Sequence, residues 1–271
     1  MKHAGELASE NLPAHTRNAF ISDIRDRIGR FDFDNPPPLF ALEMYGVLKI
    51  MAGTDDPYAE HKALYNRKAL ALYPRFKEMV SGSADPLDAA LRIAVAGNII
   101  DFGIHDANDI RIEETVQASL GAVFFHDDTK ELKERLKSLN SVLYIADNAG
   151  EIVMDKLFIE QIGPGRVTCA VRSAPIINDA TKLDAEQAGL DSICTVIASG
   201  SKASGTPLGL CSDEFRSIFA SADVVIAKGQ GNFETLAPTG RDVFHLMMVK
   251  CPVISRETGA PLGSFLAMKK G

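Results

Sequence analysis

From Ser141 onward short apolar runs alternate with amphipathic ones, and this alternation constrains the fold more than any other feature. SVLYIA, RVTCAVR, SICTVIA, DVVIAKG and VFHLMMVK are rich in Val and Ile and read as strands. Between them lie EIVMDKLFIEQIG, DATKLDAEQAGL and SDEFRSIFASA, whose apolar residues recur at helical spacing, and a shorter helical piece follows Gly231. Strand–helix–strand repetition at this spacing predicts an α/β fold with a parallel sheet and helices on its faces. Such sheets bind ligands beyond the carboxyl ends of their strands.

Up to about residue 138 the chain reads instead as helices. Phe20, Ile24 and Ile28 fall four apart, and Met44, Val47, Leu48 and Met51 keep helical spacing before Gly53. Asp56-Pro57 and Asp85-Pro86 each place a capping acid before a proline at the first helical position. Two regions follow, a helical one over 1–138 and an α/β one over 139–271. The run DDTKELKERLKSLN predicts a solvated amphipathic helix capped by Asp128 or Thr129. The triplet Pro36-Pro37-Pro38 reads as a stiff lead into a helix. DPLDAALRIAVAGNIIDFG predicts a closely packed helix, after which Asn98 and Asp101 stand among Ile99, Ile100 and Phe102. Buried amides and acids need partners, so these two either cap the chain turn or face a polar cavity.

Composition excludes several functions. The 271 residues carry a net charge of −7, which argues against a general nucleic-acid or anionic-membrane surface, since both need a basic face. No run approaches the ~20 apolar residues of a membrane span, and MKHAGELASENLPAHTRNAF has no apolar core behind a basic start, so a cytoplasmic protein is expected. Cys169, Cys194, Cys211 and Cys251 form no C-x-x-C pair and read as buried free thiols. The histidines His3, His15, His61, His105, His126 and His245 show no ligand spacing and read as surface or packing residues, with His105 of interest for its place between Asp101 and Asp106.

The expected strand ends carry the chemistry. Asp147 and Asn148 follow the first strand directly, with Gly150 opening the next helix. Taken alone they have a plain reading as helix caps. The second strand is followed by VRSAPIINDAT, with Arg172, Asn178, Asp179 and Thr181. The third is followed by ASGSKASGTPLG, whose small residues can bring backbone N–H groups towards an anion. The fourth is followed by AKGQGNFETL, with Lys228, Gly229, Gly231, Asn232 and Glu234. Acids and an amide supply oxygen ligands only, which favours Mg²⁺ or Mn²⁺ over zinc. Lysine, arginine and glycine-rich backbone suit phosphate oxygens. Together these are the equipment of phosphoryl transfer or phosphate ester hydrolysis.

AGNIIDFG, ADNAGEIVMDKLFIE, VRSAPIINDAT and VIAKGQGNFETL, four motifs in the family's order within a match running from about Pro36 to the C-terminus, resemble the damage-control phosphatase family, long catalogued as domain of unknown function 89. The resemblance implies a helical N-terminal part packed on a Rossmann-like, mostly parallel sheet. It implies a divalent metal ion (Mn, Mg, Co or Ni) and a small phosphorylated metabolite as substrate. It makes Asp147, Asn148 and Asp179 the metal ligands and Lys228 the phosphate-binding lysine, with Asp147, Asp179 and Lys228 the catalytic set. Asn98, Asp101, Arg172, Asn178, Lys228 and Asn232 are carried as candidate substrate-site residues, and Glu151 also lies in a matching motif. Prokaryotic members often begin with a C-x-x-C segment, whereas this chain has no cysteine before Cys169. Two routes stay open, a water nucleophile or an aspartyl phosphate on Asp147. Two rival readings also stay open. One is a domain of the same fold that binds a phospho-ligand without turning it over. The other is a nucleotide enzyme, against which the first strand ends in DNAGE instead of G-x-G-x-x-G.

Overall fold

The expected strands form where the sequence places them. They are β2 (Val142–Ile145), β3 (Val167–Val171), β4 (Thr195–Ala198), β5 (Val224–Lys228) and β6 (Val243–Met248). The structure, a computed structural model, describes residues 2–98, 109–138 and 140–271. Asp101 and His105 lie outside them. Two further strands were not expected: β1 (Phe124–Asp127), within the stretch read as helical, and β7 (Phe265–Lys270). Among the described residues the seven strands form one sheet in the order β1-β7-β6-β5-β2-β3-β4. Every pairing is parallel except that of β6 with β7.

Strand alternation sorts the core into two faces. Val142, Tyr144, Cys169, Val171, Ile226 and Phe244 pack in one apolar cluster with α5 (Pro86–Gly97) and α8 (Glu151–Ile162). Leu143, Ile145, Ala170, Val225 and Ala227 pack in another with Phe215 and Phe219 of α10 (Asp213–Ser221). The helices α1 (Lys2–Asn11), α2 (Ala14–Ile28) and α3 (Pro37–Ala52) share a third cluster, which holds Phe20, Ile24, Met44 and Leu48. α4 (Ala59–Ser81) and α5 join the core beneath the sheet. The remaining helices are α6 (Asp109–Leu120), α7 (Thr129–Ser138), α9 (Lys182–Gln187), α11 (Gly229–Leu236) and α12 (Pro252–Thr258).

The caps follow the sequence with two shifts. Asp85 accepts from the Asp88 amide at 3.1 Å as expected, and Pro37 opens α3. Asp56, in contrast, caps a turn at Tyr58 (3.0 Å), and α4 starts only at Ala59. The amide and hydroxyl of Thr129 donate to Asp127, at 3.1 and 2.6 Å, because the Asp128 carboxylate is taken by the Lys269 amide of β7. The four cysteines are free thiols, three of them buried and Cys251 half-buried. Among the described residues no helix is long and apolar enough to cross a membrane.

His245 on β6 is fully buried edge-on against Phe233, and neither ring nitrogen has a hydrogen-bond partner among the described residues. Burial, helped by Lys270, pushes its pKa down to about 3. The unfolded chain therefore takes up this proton near the ordinary histidine value of about 6.5, while the fold refuses it until about 3. Stability from this group is complete above pH 6.5 and declines as the pH falls through that window. His245→Leu is expected to narrow the gap in Tm between pH 8 and pH 5, read by thermal melts. An unchanged gap overturns the assignment.

Candidate active site at the strand ends

Reading outward from β2, the sheet runs to β3 and β4 on one side and to β5 and β6 on the other. A doubly wound sheet opens its crevice where the order reverses, here between the carboxyl ends of β2 and β5. Asp147 and Asn148 leave β2 at this point, and Lys228 ends β5.

The loop after β3 folds back onto the turn after β2. The Ala180 amide donates to the Asp147 carbonyl (2.7 Å) and the Ala149 amide to the Asn178 carbonyl (2.8 Å), so Asn148 and Asp179 form an antiparallel bridge. Ile177, just before this bridge, has φ +46°. A β-branched residue in the left-handed region costs about 1–2 kcal/mol, and such strain persists only where the surroundings impose it. From α4 the buried Asn66 accepts from the Gly150 amide at 2.7 Å and donates to Asp184 at 3.0 Å, which anchors the start of α8. Gly229 has φ +75°, and a Cβ there would sit inside the Asp147 carboxylate. Its backbone must pass this close for β5 and β2 to end side by side.

The side chains divide into an inner and an outer group. Inside, the fully buried Lys228 donates to Glu151 (2.8 Å), to the Ala94 carbonyl of α5 (2.8 Å) and to Asp155. Tyr144 also donates to Asp155. Outside, Arg172 donates from Nε to Asp179 at 2.7 Å and from Nη1 to Thr206 (3.0 Å) and Asn232 (3.1 Å). Its Nη2 has no hydrogen-bond partner among the described residues and lies 3.7 Å from Asp147 Oδ1. Asp147 and Asp179 thus flank one guanidinium. The other Asp147 oxygen accepts from Asn98 (3.1 Å) and Asn148 (2.9 Å), and both amides also donate to Glu151. Ser204 donates to Asp179 at 3.0 Å. Neither Asp147 nor Asn148 caps α8 with its side chain, because Gly150 takes that position.

Among the described residues of this cluster, four buried carboxylates (Asp147, Glu151, Asp155 and Asp179) face two buried cations (Arg172 and Lys228). Two negative charges are left unmatched, and the acidities follow from that. Burial, then the charges of Glu151 and Asp179, push Asp147 up to about 8 against the pull of Arg172 and Lys250. Asp155 is raised to about 6 by burial, with Lys228 opposing. Glu151 is buried as deeply, yet Lys228 outweighs burial and holds it below the ordinary value. Asp179 is raised by burial against the same kind of opposition from Arg172.

A divalent cation fits this imbalance in charge and in donor type. The donors are oxygen only, once the Asn148 amide turns its oxygen inward, as Mg²⁺ and Mn²⁺ prefer. Three acids or histidines do not converge on one point among the described residues. The oxygens nearest to such an ion's needs are those of Asp147, Asp179 and the Asn148 amide, which the β2 and β3 loops bring side by side.

The other expected residues divide between the mouth of the cluster and its frame. Asn98 is the C-cap residue of α5, and its side chain also reaches the cluster. Asn178 contributes its carbonyl to the bridge. Asn232 is completely used by protein partners: its amide donates to the Ala146 and Lys228 carbonyls, and its oxygen accepts from Arg172 and Thr206. Lys228 has its three donors on three acceptors, so its charge reaches the mouth through Glu151. The cation that sequence reading passed over is Lys250, two residues beyond β6. It is exposed, its backbone amide is held by Gln230 at 2.8 Å, and its charge acts on both Asp147 and Glu151. The lysine closing VFHLMMVK was the available signal, since it stands at a fifth strand end.

Comparison with known proteins agrees with this fold. The model of the damage-control phosphatase ARMT1-like domain matches residues 1–266. A damage-control phosphatase of Pyrococcus horikoshii is 38% identical over 235 residues, which cover 85% of this chain and 79% of that protein. Another, from Archaeoglobus fulgidus, is 34% identical over 221 residues, covering 79% and 76%. The crystal structure of a DUF89 family protein from P. horikoshii superimposes with a TM-score of 0.92 at 32% identity, covering all of this chain and 95% of that one.

Two substitutions probe the frame of the cluster. Gly229→Ala forces a left-handed alanine into the Asp147 carboxylate and is expected to lower stability in denaturant melts by at least the ~1–2 kcal/mol of backbone strain. Lys228→Met leaves two buried acids without their cation and is expected to cost about 3–5 kcal/mol in denaturant melts, as when one partner of a buried pair is removed. Adding Asp155→Asn to Lys228→Met should recover part of that loss.

Proposed function

Because the chain belongs to the damage-control phosphatase ARMT1-like family, we propose that it is a metal-dependent phosphatase that hydrolyses small phosphorylated metabolites, such as sugar phosphates or damaged phosphometabolites. The observation that carries this reading is the pair Asp147 and Asp179 on either side of Arg172 at the sheet's switch point, inside a cluster short of two positive charges. A phosphate ester is an anion and would be repelled by bare acids, so acids at its binding place imply a cation between them.

Asp147, Asn148 and Asp179 would hold the divalent ion, which when bound supplies charge neutralisation for a phosphoryl group and lowers the acidity barrier of water. Arg172 keeps the two acids apart and aligned, and its Nη2 presents a donor towards Asp147. Asn98 and Asn148 fix the inner Asp147 oxygen. Glu151, held ionised by Lys228, accepts from both amides and keeps them turned towards that oxygen. Lys250 at the rim attracts the phosphate and balances its charge. Overall, water adds to phosphorus, the ester P–O bond breaks, the alcohol leaves with a proton and inorganic phosphate is released.

The test is release of p-nitrophenol from p-nitrophenyl phosphate by metal-stripped protein, with Mg²⁺, Mn²⁺, Co²⁺ or Ni²⁺ restored singly. Turnover is expected only with metal and is expected to be lost in Asp147→Ala and Asp179→Ala that still melt cooperatively. Lys250→Met is expected to raise KM about tenfold or more with a smaller change in kcat, as for a lost charge-assisted contact to phosphate. Metal-independent turnover, or full activity in Asp179→Ala, would overturn the reading.

A further inference from the structure

A cavity of about 840 Å³ lies where the connection between α2 and α3 meets α11 and α12, and none of Asp147, Asn148, Glu151 or Asp179 lines it. Its wall is apolar and aromatic: Phe31, Phe33, Phe40, Pro207, Leu208 and Val253. Phe31 stands edge-on to both Phe33 (5.7 Å) and Phe40 (5.1 Å), while Phe33 leaves 77% of its surface exposed. Three acids also line the cavity, Asp34, Glu234 and Glu257, and no Lys, Arg or His does so among the described residues. Glu234 is half-buried, and among the described residues its side chain has neither an ion pair nor a hydrogen bond.

We propose that this cavity binds a small organic cation, an ammonium group on an aromatic or branched aliphatic body, with Glu234 as its charge partner and the phenylalanine cluster around its body. Volume places the ligand, since cavities of about 300–1,000 Å³ are the size that encloses small molecules. Charge fixes its sign, because an anion would meet three acids and no cation. Ring faces add attraction for an ammonium, which a neutral body lacks. Burial, then Glu257, pushes the Glu234 carboxyl up to about 7, so a bound cation also relieves a strained ionisation.

The chain has no tryptophan, so an indole probe can be followed without background. Tryptamine added to the full-length protein is expected to gain emission anisotropy and shift to the blue, whereas indole-3-propionate, with the same body and the opposite charge, is not. Glu234→Gln should weaken tryptamine about tenfold, as for loss of a charged partner at a half-buried site, and leave 3-ethylindole unaffected. Val253→Arg, which places a cation at an exposed position of the lining, should compete with tryptamine even if the first variant folds poorly. Asp147→Asn should leave binding intact. Equal binding of indole-3-propionate, indifference to both Glu234→Gln and Val253→Arg, or loss of binding in Asp147→Asn would overturn the proposal, the last by assigning the cation to the strand-end acids.

Discussion

Lys228 has no contact with solvent, and the arrangement of the rest follows from how its charge is met. An ammonium taken out of water costs several kcal/mol unless oriented acceptors replace the water. Here they come from two helices: Glu151 and Asp155 of α8, and the last turn of α5 through the Ala94 carbonyl. The end of β5, the start of α8 and the end of α5 are therefore held at one point. Asn98 emerges from α5 beside that point, and Asp147 leaves β2 beside it. The outer acids owe their positions to an ion cluster that touches no solvent.

The helical half takes part in this framework. Asn66 of α4 holds the Gly150 amide, and Asn98 of α5 holds Asp147 and Glu151. The packing of α5 on α8 brings Gly97 so close that a Cβ there would lie 3.2 Å from Glu151 and Met154. A sheet of this type leaves its crevice open on one side. In this protein helical amides close part of it, and they are neutral donors, which adds no charge to a cluster already rich in acids.

Much of the outer group was legible in the sequence because strand–helix alternation places the residue after each strand at one edge of the sheet. Asp147, Asn148 and Arg172 follow from that rule, whereas Asp179 reaches the same edge because the loop after β3 folds back on the turn after β2. Lys228 was legible in place but not in partners. Its two acids stand at i and i+4 on α8, where every other buried residue is apolar, a pattern that marks an inward-facing pair only once the helix is known to be buried. Lys250 was missed because the end of β6 was read for its apolar run alone. β1 and β7 were missed for another reason: FFHD and FLAMKK are too short to show a period, and their pairing joins residues far apart in sequence. The cap of α7 moved from Asp128 to Asp127 for the same cause, since the Asp128 carboxylate serves β7.

The insertion of β7 between β6 and β1 has a consequence for the order of assembly. β1 has no strand beside it except β7, and the contact between Asp128 and Lys269 spans 141 positions. During synthesis the chain from β2 to β6 emerges as a succession of local crossovers, each able to dock on the one before. β1 must wait beside a gap through all of it. Loop closure over that distance is slow compared with the local steps, so the sheet gains its outer edge last, and a nascent chain that stalls before Phe265 presents two unpaired edges, β1 and the outer side of β6, to whatever chaperone or neighbouring chain meets it first.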